Sequence, residues 1–222
     1  CWSVGYGGCK AACSRLSAPA LVLRFDLEDE YEVFRRHAET IVETGRFRPV
    51  VRSSPSWHRG VALCGWRFQG SRQDFCTQAN YEEHIAYFQE QGIDFDTVIL
   101  DDFWGDPRRH GIWKCDETRW PDLRGFVEKS QPEGRHVLLW VCTYGSGLPE
   151  EELLDGTMQN LDSPAWRRRL REDAHRMLSA DPGCYNADGI KYDFTALLPR
   201  KPGCCSVCGV GYLRERFRLV YE

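Results

Sequence analysis

Asp188-Gly189-Ile190-Lys191-Tyr192-Asp193-Phe194 is the stretch on which the reading of this chain turns. It reads as a short β-strand. Residues two apart in a strand point the same way, so Lys191 and Asp193 project together while Ile190 and Tyr192 go to the other side. A lysine and a carboxylate side by side near a strand's C-terminal end suit the floor of a polar pocket better than a dry core. Upstream, the apolar run Thr97–Leu100 leads straight into Asp101-Asp102-Phe103-Trp104. Two strands that end in carboxylates, with tryptophan nearby, predict an acidic, aromatic-lined cleft of the kind that holds a sugar.

Outward from these strands the chain alternates. Val61–Trp66 reads as a strand, Tyr81–Gln91 as a helix ahead of Gly92, and Thr97–Leu100 as a strand. Leu123–Lys129 is a helix before the Pro132–Gly134 turn, and Val137–Cys142 an almost wholly apolar strand. Pro164–Leu178 is a helix with Ser163 as N-cap and proline in its first turn, followed by the strand Gly189–Asp193 and a helix over Gly211–Tyr221. Strands apolar on both faces, alternating with helices, predict a parallel sheet wrapped by helices. Residues 1–59 read differently. Leu21–Phe25 has the character of a last strand from an upstream β-domain, Asp26–Glu43 is an amphipathic helix with Asp26 as N-cap, and residues 46–60 form a connector.

An open doubly wound sheet declares itself by a glycine-rich phosphate turn after a strand, and no such turn occurs here. Instead each strand end carries polar or aromatic candidates, which is what the C-terminal face of a (β/α)8 barrel supplies. Four βα units fill roughly 160 residues where a whole barrel takes about 250. The expectation is therefore an α/β fold, a partial (β/α)8 barrel of about its first four units over residues 60–222, behind an N-terminal segment of residues 1–59. Such a half barrel exposes a strand edge and is expected to be marginally stable alone.

Composition excludes several classes. The 222 residues are 42% hydrophobic with a net charge of −4, which supports a core and argues against nucleic acid as a partner. The run Arg167, Arg168, Arg169, Arg171 is interleaved with acids and reads as a solvated helix face. No apolar run approaches the ~20 residues of a membrane span. The first residues lack both an initiator Met and the order of a signal peptide, so the sequence reads as starting inside a longer one. Its compartment is not encoded, with the cytoplasm slightly favoured. The oligomeric state is not encoded either. Of 11 cysteines, Cys64, Cys142 and Cys115 lie in or beside strands as small hydrophobes, and Cys204, Cys205 and Cys208 form a loose cluster. No HExxH, no metal-ligand spacing and no GxSxG elbow occurs, so no metal and no cofactor are expected.

The chemistry then rests on a few side chains. Asp193 could simply cap the next helix, but the ammonium of Lys191 would hold it ionised, as a nucleophile requires and a cap does not. Asp101 and Asp102 point oppositely if the strand continues. They suit paired hydrogen bonds to vicinal hydroxyls, or else loop capping or a metal. Trp66, Trp104, Trp113, Trp120 and Trp140 are candidates for stacking on a pyranose face, at least two of them in the pocket.

These motifs are familiar. DGIKYDF resembles the nucleophile strand of the α-galactosidase and α-glucosidase glycoside hydrolases, families 36 and 31. ILDDFW resembles their "DDGW" strand end, the segment from Gly111-Ile112-Trp113 to Trp120-Pro121-Asp122-Leu123 resembles the one that follows it, and HVLLWV resembles their third strand. The likeness spans residues 55–195 in the right order. It implies a retaining glycosidase acting on an oligosaccharide or glycoside, with Asp193 as nucleophile, Lys191, Asp101 and Asp102 on the sugar, and Trp140 and Trp66 in the wall beside Trp104 and Trp113. Phe103 stands where the α-galactosidase pattern has glycine. The family's acid/base aspartate follows a sixth strand, so the 222-residue stretch alone is expected to be inactive. The alternatives are a carbohydrate-binding relative without catalysis, and a cysteine-rich zinc or redox module.

Overall fold

The structure, a computed structural model, describes residues 29–44, 55–67, 76–195, 197–199 and 210–221. The chain divides into two units, one of residues 11–58 and a larger one that holds residues 59–222. In the smaller unit, helix α1 spans Glu30–Glu43. Its N-cap is Asp29 rather than Asp26: the Asp29 carboxylate accepts the Tyr31 N–H at 2.9 Å. Glu30 and Glu32 follow in the first turn, where the helix dipole favours negative charge. Asp26 and the expected strand Leu21–Phe25 lie outside the described residues.

The larger unit runs β1 (Ala62–Cys64), α2 (Gln78–Glu90), β2 (Thr97–Leu100), α3 (Leu123–Ser130) and β3 (His136–Cys142). It continues through β4 (Leu153–Leu154), β5 (Met158–Gln159), α4 (Pro164–Leu178), β6 (Gly189–Asp193) and α5 (Val210–Tyr221). Among the described residues, β1, β2, β3 and β6 form one sheet in that order, every pair parallel. Each βα step therefore advances to the next neighbour on the same side. A doubly wound sheet reverses direction at a switch point, and a barrel wall does not. The order is that of a barrel wall. The β4–β5 hairpin is an addition between β3 and α4 that the sequence reading did not contain.

The strands separate their faces as alternation requires. Val98, Leu100, Val137, Leu139 and Val141 are buried against the helices, where Tyr81, Ile85, Phe126, Val127 and Met177 meet them. Trp104 and Trp120 are buried whole, and each indole N–H has a carbonyl partner, Trp140 at 2.7 Å and Cys76 at 3.1 Å. That pairing is what makes a buried indole tolerable. The basic face of α4 is only partly solvated. Arg168 and Arg171 are exposed, but Arg169 makes a two-pronged pair with the buried Glu152, both contacts at 2.7 Å. Ser163 caps α4 as expected, accepting from Trp166 N. No described helix is long and apolar enough to cross a membrane.

Gly65, the residue after β1, permits one close approach. The Tyr81 hydroxyl passes beside it, donating to Ile99 O at 2.7 Å and accepting from Asp101 N at 3.1 Å. A Cβ on residue 65 would sit 2.0 Å from that hydroxyl oxygen. Gly65→Ala is therefore expected to displace Tyr81, strand the Asp101 N–H and destabilise the unit by about 2–4 kcal/mol. Urea denaturation of the two proteins measures this, and an unchanged midpoint would refute it.

Candidate active site

The parallel register brings Cys64, Asp101, Trp140, Lys191 and Asp193 to one end of the sheet. Trp140 lies opposite Lys191 and Cys142 opposite Asp193, so the β6 charges stand beside the end of β3. Lys191 bridges two carboxylates. Its ammonium is hydrogen-bonded to Asp101 Oδ2 and lies 3.7 Å from Asp193 Oδ2. Ile190 and Tyr192 face the other way, Ile190 toward α4 and Tyr192 onto Phe217 of α5 with ring centroids 5.7 Å apart.

The two carboxylates in contact with Lys191 differ in what they can do. Asp101 is 2% exposed as a side chain, and its oxygens are taken: Oδ2 by Lys191 and by the Cys64 thiol at 3.1 Å, Oδ1 by the Asp102 N–H at 2.9 Å. Burial, with the charge of Asp101 adding to it, pushes the Cys64 thiol up, so it stays a donor. Asp193 is 41% exposed. Its Oδ2 accepts the Trp140 indole N–H at 2.9 Å and its Oδ1 accepts the Phe194 N–H at 2.7 Å. Burial alone would raise its pKa, but the Trp140 and Phe194 hydrogen bonds and the Lys191 charge outweigh burial and hold it below the usual carboxylate range. Lys191 shows the converse: partial burial works against its charge, and the bond to Asp101 overrides that and raises its pKa. The cleft thus presents an ionised, reachable carboxylate beside an ammonium.

Asp102 completes the group from the other side. Its Oδ1 accepts the Phe103 N–H at 2.9 Å and lies 3.1 Å from His110 Nε2. His110 is ringed by Trp113, Trp140 and Tyr144, the last with centroids 5.0 Å apart, and Tyr144 in turn packs on Phe194. His110, Tyr144 and Cys64 were not singled out as site residues by sequence. A lone loop histidine carries no local signal, and only the fold brings it to Asp102.

The tryptophans divide sharply. Trp66 is 37% exposed just past β1, whereas Trp113, Trp140 and Trp104 are 8%, 2% and 1% exposed. Trp104 belongs to the core rather than the cleft wall. Phe103 has φ of 77°, a left-handed bend that takes the chain off the strand line, and Trp104 stacks on Trp113 behind the site. Trp113 supports Trp140 edge-on with ring centroids 5.9 Å apart, and the Trp140 N–H is bonded to Asp193. The same φ explains why glycine suits position 103; phenylalanine there stores roughly 1–2 kcal/mol of strain, offset by packing on the core and on Arg119. Cys204, Cys205 and Cys208 lie outside the described residues.

Residues 52–194 match the model of the glycosyl hydrolases family 31 TIM-barrel domain. The chain belongs to glycoside hydrolase family 31. Family 31 is one of the two families that its motifs resemble. Solved structures with the same fold include a cycloalternan-degrading enzyme from Trueperella pyogenes, at 17% identity and a TM-score of 0.55, covering 82% of this chain and 32% of that one. The same enzyme in complex with a covalent intermediate gives 18% and 0.53, covering 83% and 31%. A family 31 α-xylosidase from a soil metagenome, complexed with xylose, gives 14% and 0.54, covering 75% and 27%. The chain thus spans about a third of the length of these structures. A search of the curated proteins finds no match.

The Asp193 environment makes a pH prediction. A depressed folded pKa means that Asp193 stabilises the fold above the ordinary carboxylate range, a contribution lost as pH falls through the folded value. Trp140→Phe removes the strongest of the hydrogen bonds that lower it, so the Asp193 pKa is expected to rise. NMR titration of the ¹³C-labelled aspartate carboxyls reads this directly. No upward movement would mean that the indole bond does not set the ionisation of Asp193.

Proposed function

We propose that this chain carries the nucleophile half of a retaining α-glycosidase that cleaves an oligosaccharide or glycoside. The observation that carries the reading is Asp193: accessible, held ionised, and aimed by two hydrogen bonds at the C-terminal end of its strand. Retention needs two carboxyl groups about 5–5.5 Å apart, one to attack the anomeric carbon and one to protonate the leaving oxygen. Asp193 makes the attack. Its lone pair forms the bond to C1 while the glycosidic bond breaks, and water later hydrolyses the glycosyl ester. The covalent intermediate in the cycloalternan-degrading enzyme supports this order of events.

In this reading Asp102 and Lys191 hold sugar hydroxyls and Trp66 supplies the exposed ring. Asp101 has a different role from the one that the motif suggests. With both oxygens engaged, it anchors Lys191 rather than the sugar. The acid/base carboxyl is not assigned to any residue described here, because Asp101 and Asp102 are already committed to these contacts.

The test is Asp193→Ala in the intact protein. Turnover of an aryl α-glycoside with an activated leaving group is expected to fall by at least about 10⁴-fold, the scale on which loss of a covalent nucleophile acts. Sugar binding should persist. Azide should restore part of the rate by attacking C1 from the vacated space. Asp102→Ala should weaken binding and turnover together with no azide rescue. Near-normal turnover in Asp193→Ala would overturn the nucleophile assignment. Sugar binding by the wild-type protein with no turnover of any α-glycoside would leave a carbohydrate-binding protein in its place.

A further inference from the structure

His110 connects the two carboxylates that remain open to the cleft. It lies in the loop after β2, its side chain 13% exposed. Its Nε2 is 3.1 Å from Asp102 Oδ1, and its ring packs on Trp140, the donor to Asp193. The ring is held from several directions. Trp113, Trp140 and Tyr144 surround it, with centroids 6.5, 5.8 and 5.0 Å away. Its backbone carbonyl accepts the Gly147 N–H at 3.0 Å, which ties the loop after β2 to the loop after β3. A Cβ on residue 147 would lie 2.4 Å from Arg109 Cα, so only glycine fits this junction.

The neighbours decide where its proton sits. A carboxylate only accepts, so the proton lies on Nε2 and is donated to Asp102. Nδ1 is then an acceptor, and the Ser146 hydroxyl lies 3.5 Å from it. Asp102 Oδ1 thereby has two donors, His110 and the Phe103 N–H at 2.9 Å. Its Oδ2 has no partner among the described residues. The second donor matters because the terminal torsion of an aspartate is broad and two-fold. One hydrogen bond lets the carboxylate plane swing about the bonded oxygen, whereas two donors at fixed places set the plane.

We propose that His110 is a positioning residue that sets the sugar specificity of this cleft: by holding Asp102 Oδ1 it leaves Oδ2 alone to meet the substrate, on a single hydroxyl. The role rests on the glycosidase reading above, with Asp102 on the sugar. A two-pronged contact with vicinal hydroxyls needs both oxygens of an aspartate, and here one is engaged by the protein. A single fixed acceptor requires a hydroxyl at one place, so a deoxy sugar or epimer that lacks it loses a hydrogen bond to a charged group. Without the imidazole donor Asp102 swings, either oxygen reaches the sugar, and the requirement relaxes.

The experiment compares kcat and KM of the intact protein on an aryl α-glycoside and on its monodeoxy analogues, each lacking one hydroxyl. In the wild type one analogue is expected to lose about 10- to 100-fold in kcat/KM through Asp102, the scale of a hydrogen bond to a charged group. Asp102→Ala identifies that analogue, because it removes the penalty. His110→Phe keeps a ring in the aromatic cluster without the donor. It should reduce the same penalty at least severalfold and leave those at the other hydroxyls unchanged. His110→Gln, whose amide donates from a similar reach, should restore it. A full penalty in folded His110→Phe, or losses spread evenly over every hydroxyl, would overturn the proposal. Where His110→Phe does not fold, ¹⁵N NMR of the neutral wild-type ring decides: a proton on Nδ1 rather than Nε2 rules out donation to Asp102. Absence of any turnover would fail the glycosidase reading instead, and the same comparison made on binding of the free sugar and its deoxy analogues then reads the role of His110 by itself. Binding of none of them would overturn both.

Discussion

One ammonium holds the end of this sheet together. Lys191 lies between Asp101 and Asp193, and each of those carboxylates depends on it differently. Asp101 is buried, and a carboxylate taken out of water costs several kcal/mol unless it is paired and hydrogen-bonded. Lys191, the Cys64 thiol and the Asp102 N–H satisfy it. Asp193 keeps its exposure and gains only a share of the charge, which favours its ionised form without covering it. The arrangement exists only because β2, β3 and β6 run parallel and in register, so that their C-terminal ends lie at one level.

Around that ammonium the site is built from backbone bends as much as from side chains. Phe103 and Phe194, each just after a carboxylate, have positive φ of 77° and 54°. In each case the residue's own N–H is bonded to the preceding carboxylate, Asp102 or Asp193. Non-glycine residues in this region store strain, and such strain persists where the surrounding packing over-determines it. Here the aromatic cluster of Trp113, Trp140, Tyr144, Phe194 and His110 provides that packing.

Much of this was legible in the sequence because it depends on local period. The strand Thr97–Leu100, the helix Pro164–Leu178 with its Ser163 cap, and the strand Gly189–Asp193 carry their own alternation or capping chemistry, and they are where the residues put them. The pairing of Lys191 with Asp193 followed from the same two-residue rule. The failures have local causes too. Strands of two residues, such as β4 and β5, have no period to detect. Trp104 was a candidate for the cleft because it closely follows a strand end, but after the Phe103 bend the indole lies in the core. Asp101 and Asp102 were expected to point oppositely, but which of them faces the cleft was not legible; burial identifies Asp101 as the anchored carboxylate. His110 packs on Trp140 and Tyr144 from much further along the chain, which no short window of sequence displays.

The central claim is that Asp193 forms a bond to the sugar. Trapping with a 5-fluoroglycosyl fluoride, which slows hydrolysis of the glycosyl ester, tests it most directly. After inactivation of the intact protein and trypsin digestion, the fragment Tyr192–Arg200 should gain the mass of one fluorosugar, placed on Asp193 by fragmentation. Turnover of the glycoside with the label on a different carboxylate, or with release of a product of inverted configuration and no label at all, would contradict the account.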